Sequence, residues 1–463
     1  MKTTQKNTTI RATILVSMTM ILLASTLISC ERMIEVDSPT NIVKKEDVYK
    51  DIATTKAALA YLYSNIRANS FLSKKPTGLH HGLSLYTDEL EHIGTTDNNF
   101  FLNTIQANSA ETALWWNNAY QDIYAINAFI EGLTQSSYIE QEIKKTLLGE
   151  AYTLRALYYQ NLAQLYGDIP YTTSTDFKLN TIISKKPYPL VLVDIEQDLL
   201  QAIEYLNYSF RSPDKYYVNK AVAELLLSEN YLLQKKYDLA ELYSKNVIDS
   251  NLYFIEDDLT KTFKKDAKST IWQISPEQGS YITPEANNYI FTTIAANTSV
   301  ISDKLLKSFD TSDLRKQYWL KEVEVNGQVF YGVYKYKNKT DNTDENSIFF
   351  RIEQVYSILA ESLLNQNKLP QAIQIINKIR TKRGLLPLGA SMGKQEVEQH
   401  FLQEMYKEFF TENGHRFFTL KRLNQFDQIK EIKPNWKDYN NLFPIPEKQL
   451  LINPNLNPQN NGY

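Results

Sequence analysis

The amino-acid sequence predicts a mostly α-helical fold of stacked helix–turn–helix repeats, with a loop-rich insertion and a few short strands. Three observations predict it. Apolar residues recur at helical spacing, as in Val397, Phe401, Met405 and Phe409, with Leu402 and Phe410 widening the stripe. Two helix pairs echo one another. Tyr237, Ala240, Tyr243 and Val247 have the spacing of Leu369, Ala372, Ile375 and Ile379, and each set follows a long helical stretch (221–233 or 352–365) after a short polar turn. Between the pairs, residues 253–349 lose the helical period and are rich in Tyr, Asn and Thr.

The N-terminus comes first. Lys2, Lys6 and Arg11 precede an uncharged apolar stretch, residues 12–28, which ends in Leu27-Ile28-Ser29-Cys30. A basic start, an apolar run and a small residue before the cut predict a secretory signal peptide over 1–29. With cysteine directly after the small residue, the string resembles a bacterial lipobox. That resemblance implies a mature chain of 30–463, with Cys30 acylated and the protein held at the membrane by lipid. The alternative is an uncleaved membrane anchor, for which the run is long enough. Either reading puts the body outside the cytoplasm. Cys30 is the sole cysteine, so an internal disulfide framework and a cysteine-based zinc site are excluded.

Residues 31–45 lack periodicity and read as a tether. A helix follows over 47–67, then a loop-rich stretch over 71–108 containing Pro76, Gly78, Gly82 and Gly94. Helical spacing returns with Trp115, Trp116, Tyr120, Ile123 and Tyr124, where both tryptophans suit helix packing. It continues with Leu154, Leu157, Tyr158, Leu162 and Leu165. Gly167 is placed as a C-cap, and Pro170 blocks continuation. The helix pairs, at about 46–250 and 350–425, resemble tetratricopeptide repeats, which bury their faces only by stacking. Within the insertion, 270–274, 328–336 and 349–352 have strand composition, and Asn326-Gly327 suits a hairpin turn. Glu412 and Arg416 are spaced for a helical ion pair, and Gly414 permits close backbone approach. The tail, 433–463, is proline-punctuated and extended.

No phosphate loop, G-x-S-x-G elbow or H-E-x-x-H motif is present. A net charge of -3 gives no electrostatic case for nucleic acid, and no cofactor is required. His80, His81 and His92 make a weak metal set. The carboxylates Asp88, Glu89 and Glu91 would serve a glycosidase only if two faced each other. Aromatics reach 12%, with 31 tyrosines against 5 tryptophans. Rings beside amides on loops are the chemistry of sugar recognition, because C–H faces stack on rings while hydroxyls take hydrogen bonds. Two stretches fit: Asn98, Phe100 and Phe101 (with Asn99), and the insertion's Tyr281, Tyr289, Phe291 and Trp319 near Asn287 and Asn288. Each such ring is equally a candidate for the core.

The string 404–422, EMYKEFFTENGHRFFTLKR, resembles the signature of the SusD/RagB family, with Thr419 where that family usually has Asp. Three further strings match in order: 79–90 (LHHGLSLYTDEL), 151–171 (AYTLRALYYQNLAQLYGDIPY) and 441–463, the last with Asn461 in place of a usual proline. The resemblance spans about 30–463. It implies a lipid-anchored protein of the outer membrane, surface-exposed, of the kind found in Bacteroidota. Such a protein binds oligosaccharide or polysaccharide without catalysis and delivers it to a TonB-dependent, SusC-like transporter. The loops expected to hold ligand carry Asn98, Phe100, Phe101, Tyr281 and Trp319. The same architecture binding peptides, or a secreted glycoside hydrolase, are the alternatives.

Overall fold

The computed structural model describes residues 45–277 and 281–463, together with Met18. Apart from Met18, the expected signal peptide lies outside the described residues, as do Cys30 and nearly all of the tether. A helical turn, Lys45–Val48, belongs to a unit separate from the body of 49–463. The longer helices of that body are α1 Ile52–Ala68, α2 Leu79–Tyr86, α3 Ala110–Gln135, α4 Gln141–Tyr166, α5 Tyr188–Tyr205 and α6 Lys220–Leu233. They continue with α7 Tyr237–Asp249, α8 Ile352–Asn365, α9 Leu369–Lys382, α10 Lys394–Phe409 and α11 His415–Arg422. The body is a mostly helical repeat scaffold, as its sequence predicts.

From α3 to α9 each long helix packs chiefly on the next, and α7 bridges directly to α8 across the insertion. The two matched pairs share their turns as well as their spacing. Lys235 and Asn367 both take the left-handed conformation, at φ 59°. In each turn the following amide reaches back to a carbonyl in the last helical turn: Lys236 N to Tyr231 O, and Lys368 N to Leu363 O. This closure satisfies carbonyls that a helix end leaves unpaired. The middle of the stack is buried on nearly every side. In α4, nearly every residue from Ala151 to Tyr166 is buried. Gly167 follows at φ 76° and ends the helix as expected.

The insertion carries most of the strands, in three antiparallel pairs. β1 (Leu90–His92) pairs with β3 (Ser299–Ile301), β2 (Thr270–Ile274) with β6 (Ser347–Arg351), and β4 (Leu320–Val325) with β5 (Gln328–Val333). Asn326 and Gly327, both at positive φ, close the β4–β5 hairpin. Two differences from expectation have simple causes. The 71–108 stretch contains α2, whose eight residues are all buried. A helix apolar or packed on every side shows no amphipathic period. The insertion also holds one- to two-turn helices, Pro284–Tyr289, Asp303–Ser308 and Leu314–Trp319, too short for a period to be read. The tail too is not wholly extended, since Glu447–Ile452 is helical.

Helix α10 is buried on two faces. Val397, Phe401, Met405 and Phe409 pack into the apolar core. The other side carries Glu404 and Glu408 into a set of arginines, of which Arg315, Arg351 and Arg383 are buried and Arg380 is half-buried. Glu408 meets Arg315 at 3.1 Å, Arg351 at 2.6 Å and Arg383 at 2.7 Å, while Glu404 meets Arg315 at 3.0 Å and Arg380 at 2.6 Å. These arginines come from the insertion, the end of β6 and the end of α9, so one ion network ties three parts of the fold together. The guanidinium groups hold Glu408 well below the usual carboxylate range, despite its burial.

The expected Glu412–Arg416 helical pair does not form. The helix breaks after Phe409, and Gly414 turns the chain at φ 68°. Glu412 pairs instead with Arg351 (2.8 Å) and Lys335 (2.5 Å). Arg416 forms a two-pronged bond to Asp88, at 2.8 and 2.7 Å. Thr419 lies 3.3 Å from the His415 ring nitrogen. A Cβ on Gly414 would fall 2.3 Å from Leu83 Cδ1, so the α2–α11 approach requires glycine there. The signature string is therefore an assembly device for the core.

Candidate functional site

The structure sorts the candidate aromatics into core and surface. Trp319 is 0% exposed. Its ring packs against Phe263 (5.4 Å between centroids) and Phe410, with Lys335 Nζ 5.0 Å above it. This corrects the expectation of a stacking platform: the short helix Leu314–Trp319 turns the indole inward beside the arginine network. Phe100, at 8% exposed, is also core, stacked on Trp115 at 4.8 Å and close to Gly82. Phe101 is half-buried beneath Lys433 Nζ, 3.9 Å from its centroid. Asn98 caps the helical turn Asn99–Leu102 by accepting from Phe101 N at 3.1 Å, so its carbonyl oxygen is engaged. Tyr289 is buried, and Phe291 lies against Gly332.

The two predicted loops do meet. Thr96 Oγ1 donates to Ala296 O (2.9 Å) and lies 3.2 Å from Asn297 Oδ1, extending the β1–β3 pairing outward. That junction carries Asn98 and Phe101 next to the insertion.

Tyr281 is the one candidate ring left open, at 63% exposed. It stands over a cleft between the end of α1, the loop before α2 and the end of β2, lined by Arg67, Lys74, Lys75, Glu277 and Asn346. Local chemistry fixes its walls. Arg67, in the last turn of α1, donates through Nη1 to Ser275 Oγ (3.1 Å) and Pro276 O (3.2 Å), which holds the chain leaving β2. Asn342 Nδ2 donates to the Tyr281 carbonyl. Thr283 caps the helix Pro284–Tyr289 through Ala286 N at 3.2 Å. Asn346 Nδ2 donates to Tyr216 Oη at 3.2 Å.

Behind this wall lie two buried titratable side chains, Lys74 and Glu285. Burial brings the Lys74 ammonium down to about 8, against the pull of Glu285 and Glu412, and raises the Glu285 carboxyl to about 7, against that of Lys74. Lys74 Nζ donates to Asn413 Oδ1, and Ser347 Oγ donates to Glu285 at 2.6 Å.

A second open aromatic cleft lies elsewhere, between α3, the 170–183 loop and the helix Glu447–Ile452. Tyr124 is 52% exposed and Phe177 77%. Its amides serve the fold. Asn127, Asn180 and Asn453 donate to the carbonyls of Thr172, Ser174 and Ile183, and Gln449 donates to Asn117. That wall is mainly apolar, whereas the Tyr281 cleft has cationic groups in its lining.

Asp88 and Glu89 do not face one another across a cleft. Asp88 is held by Arg416 and, at 3.0 Å, by Lys304. Glu89 is buried and accepts from Thr411 N. Among the described residues no cluster of His, Cys, Asp and Glu could hold a metal ion, and no helix is long and apolar enough to cross a membrane. Arg67, Lys75 and Asn346 escaped the sequence reading, since neither spacing nor motif links them and only the fold brings them to Tyr281.

Comparison with known proteins places this geometry in a family. Residues 69–232 match a family model described as "Starch-binding associating with outer membrane", and residues 272–463 match the SusD family model. SusD-like protein P2 of Formosa agariphila is 25% identical, over 96% of this chain and 99% of its own length. A SusD superfamily protein from Bacteroides vulgatus has the same fold, with a TM-score of 0.78 at 17% identity, covering 90% of this chain and all of that one. A laminarin-binding SusD-like protein superposes with a TM-score of 0.75 at 19% identity, with the same coverage. With both family models matched in order across most of its length, this chain belongs to the SusD/RagB family.

Proposed function

We propose that this protein captures an oligosaccharide or polysaccharide at the Tyr281 cleft, leaves its linkages intact, and passes it to a TonB-dependent transporter in the outer membrane. The carrying observation is the exposed Tyr281 ring set beside Arg67, Lys75 and Asn346. An open ring supplies the stacking face and the flanking groups supply hydrogen bonds, which together suit a sugar. The laminarin-binding relative and the starch-binding description of the matched model agree with this reading. Acylation of Cys30 would fasten the protein at the outer membrane, exposed on the surface, with residues 31–45 as a tether.

Isothermal titration of the purified protein against glycan and peptide panels tests it. Heat with a glycan that is lost in Tyr281→Ala is expected. Heat only with peptides, or shortened glycan products after incubation, would contradict it.

A further inference from the structure

We propose that the Tyr281 cleft takes an acidic sugar, one bearing a carboxylate or a sulfate ester, with Arg67 and Lys75 reading its charge. This rests on the glycan reading above. Among the described residues every arginine other than Arg67 sits within ion-pair distance of a carboxylate, for example Arg155 with Asp198, Arg211 with Glu150 and Arg422 with Glu361. Arg67 has none. Its Nη1 bonds go to neutral oxygens of Ser275 and Pro276, and its Nε is buried with no hydrogen-bond partner. Lys75 is half-buried in the same cleft, and among the described residues its ammonium has no ion pair or hydrogen bond.

The acids nearby do not cancel these charges. Glu345 is occupied by Lys264 (3.0 Å) and by the amides of Lys337 and Asn338 (each 3.0 Å). Glu277 is exposed and stands beyond ion-pair distance of both cations. Lys74 is turned inward to Asn413. Two cations without a carboxylate partner among the described residues line one cleft, which makes it locally positive in a chain of net charge -3. A guanidinium fits the planar or tetrahedral oxygens of a carboxylate or sulfate, and such charge-assisted bonds exceed those made to neutral hydroxyls.

The test is calorimetry of the purified protein with two matched pairs: an oligogalacturonate and its methyl ester, and a sulfated galactan oligosaccharide and its desulfated form. The acidic member of at least one pair is expected to bind about tenfold tighter, and the pair that responds tells carboxylate from sulfate. The preference should collapse in Lys75→Glu and in ~1 M salt, where screening reaches about 3 Å, while Lys307→Glu on the open surface leaves it unchanged. Lys75→Glu is the decisive variant, because Arg67→Gln also loosens the Ser275–Pro276 wall. Equal affinity for neutral and acidic members, lost in Tyr281→Ala, would overturn the charge assignment and leave glycan capture standing. A preference that survives Lys75→Glu would place the charge reader elsewhere and overturn it too. Heat with neither member of either pair, nor with any glycan of the wider panel, would overturn both readings.

Discussion

Tyr281 and Trp319 are both large aromatic side chains of the insertion, and their surroundings give them opposite roles. Trp319→Ala would empty a fully enclosed volume and is expected to cost about 3–5 kcal/mol of stability. Tyr281→Ala should leave the melting temperature almost unchanged and weaken glycan binding by about 1–3 kcal/mol, by analogy with aromatic stacking on bases. Thermal melts and calorimetry on the two variants check this together. Composition could propose both rings, but burial depends on which way a six-residue helix turns, and no periodicity in so short an element records that.

Glu285 permits a test by pH. Its carboxyl is raised from 4.5 to about 7, so the folded state keeps a proton that the unfolded chain gives up. The stability linked to it is present below about pH 4.5 and is lost as pH rises through 7. Glu285→Gln should therefore gain in melting temperature relative to the parent as pH goes from 5 to 8. A gap that stays constant would mean that Glu285 is ionised throughout.

At the scale of elements, α10 shows how much a stripe conceals. Its apolar face was legible from Val397 to Phe409, and the repeated pairs α6–α7 and α8–α9 were legible down to their polar turns. The ion network on the other face was not, because Arg315, Arg351 and Arg383 reach Glu408 from distant parts of the chain. Charged residues at helical spacing ordinarily mark a wet face, and here they mark a second interior. Glu408→Gln keeps the shape but leaves three guanidinium groups short of a counter-charge. It is expected to cost about 3–5 kcal/mol, read by denaturant unfolding. A loss under about 1 kcal/mol would mean that water or neighbouring carboxylates already compensate. The same logic explains the Glu412–Arg416 spacing: the helix break after Phe409 and the turn at Gly414 replace an apparent local pair with long-range ones.

For the whole molecule, a helical stack braced by buried charge carries its open aromatic cleft where the insertion returns to α1. The family resemblance located that region in the later insertion, but variable loops do not transmit their ligand residues by motif. Fastening is a separate claim. Cys30→Ala should move the protein from the membrane fraction to the soluble one, and unchanged retention would favour an uncleaved anchor. Capture itself is tested most directly by a crystal structure of the protein with an oligosaccharide that binds it. The account predicts an unbroken sugar chain with one ring lying on Tyr281 and oxygens reaching Arg67 or Lys75. A sugar seated in the Tyr124–Phe177 cleft with Tyr281 untouched, or a cleaved product, would contradict it.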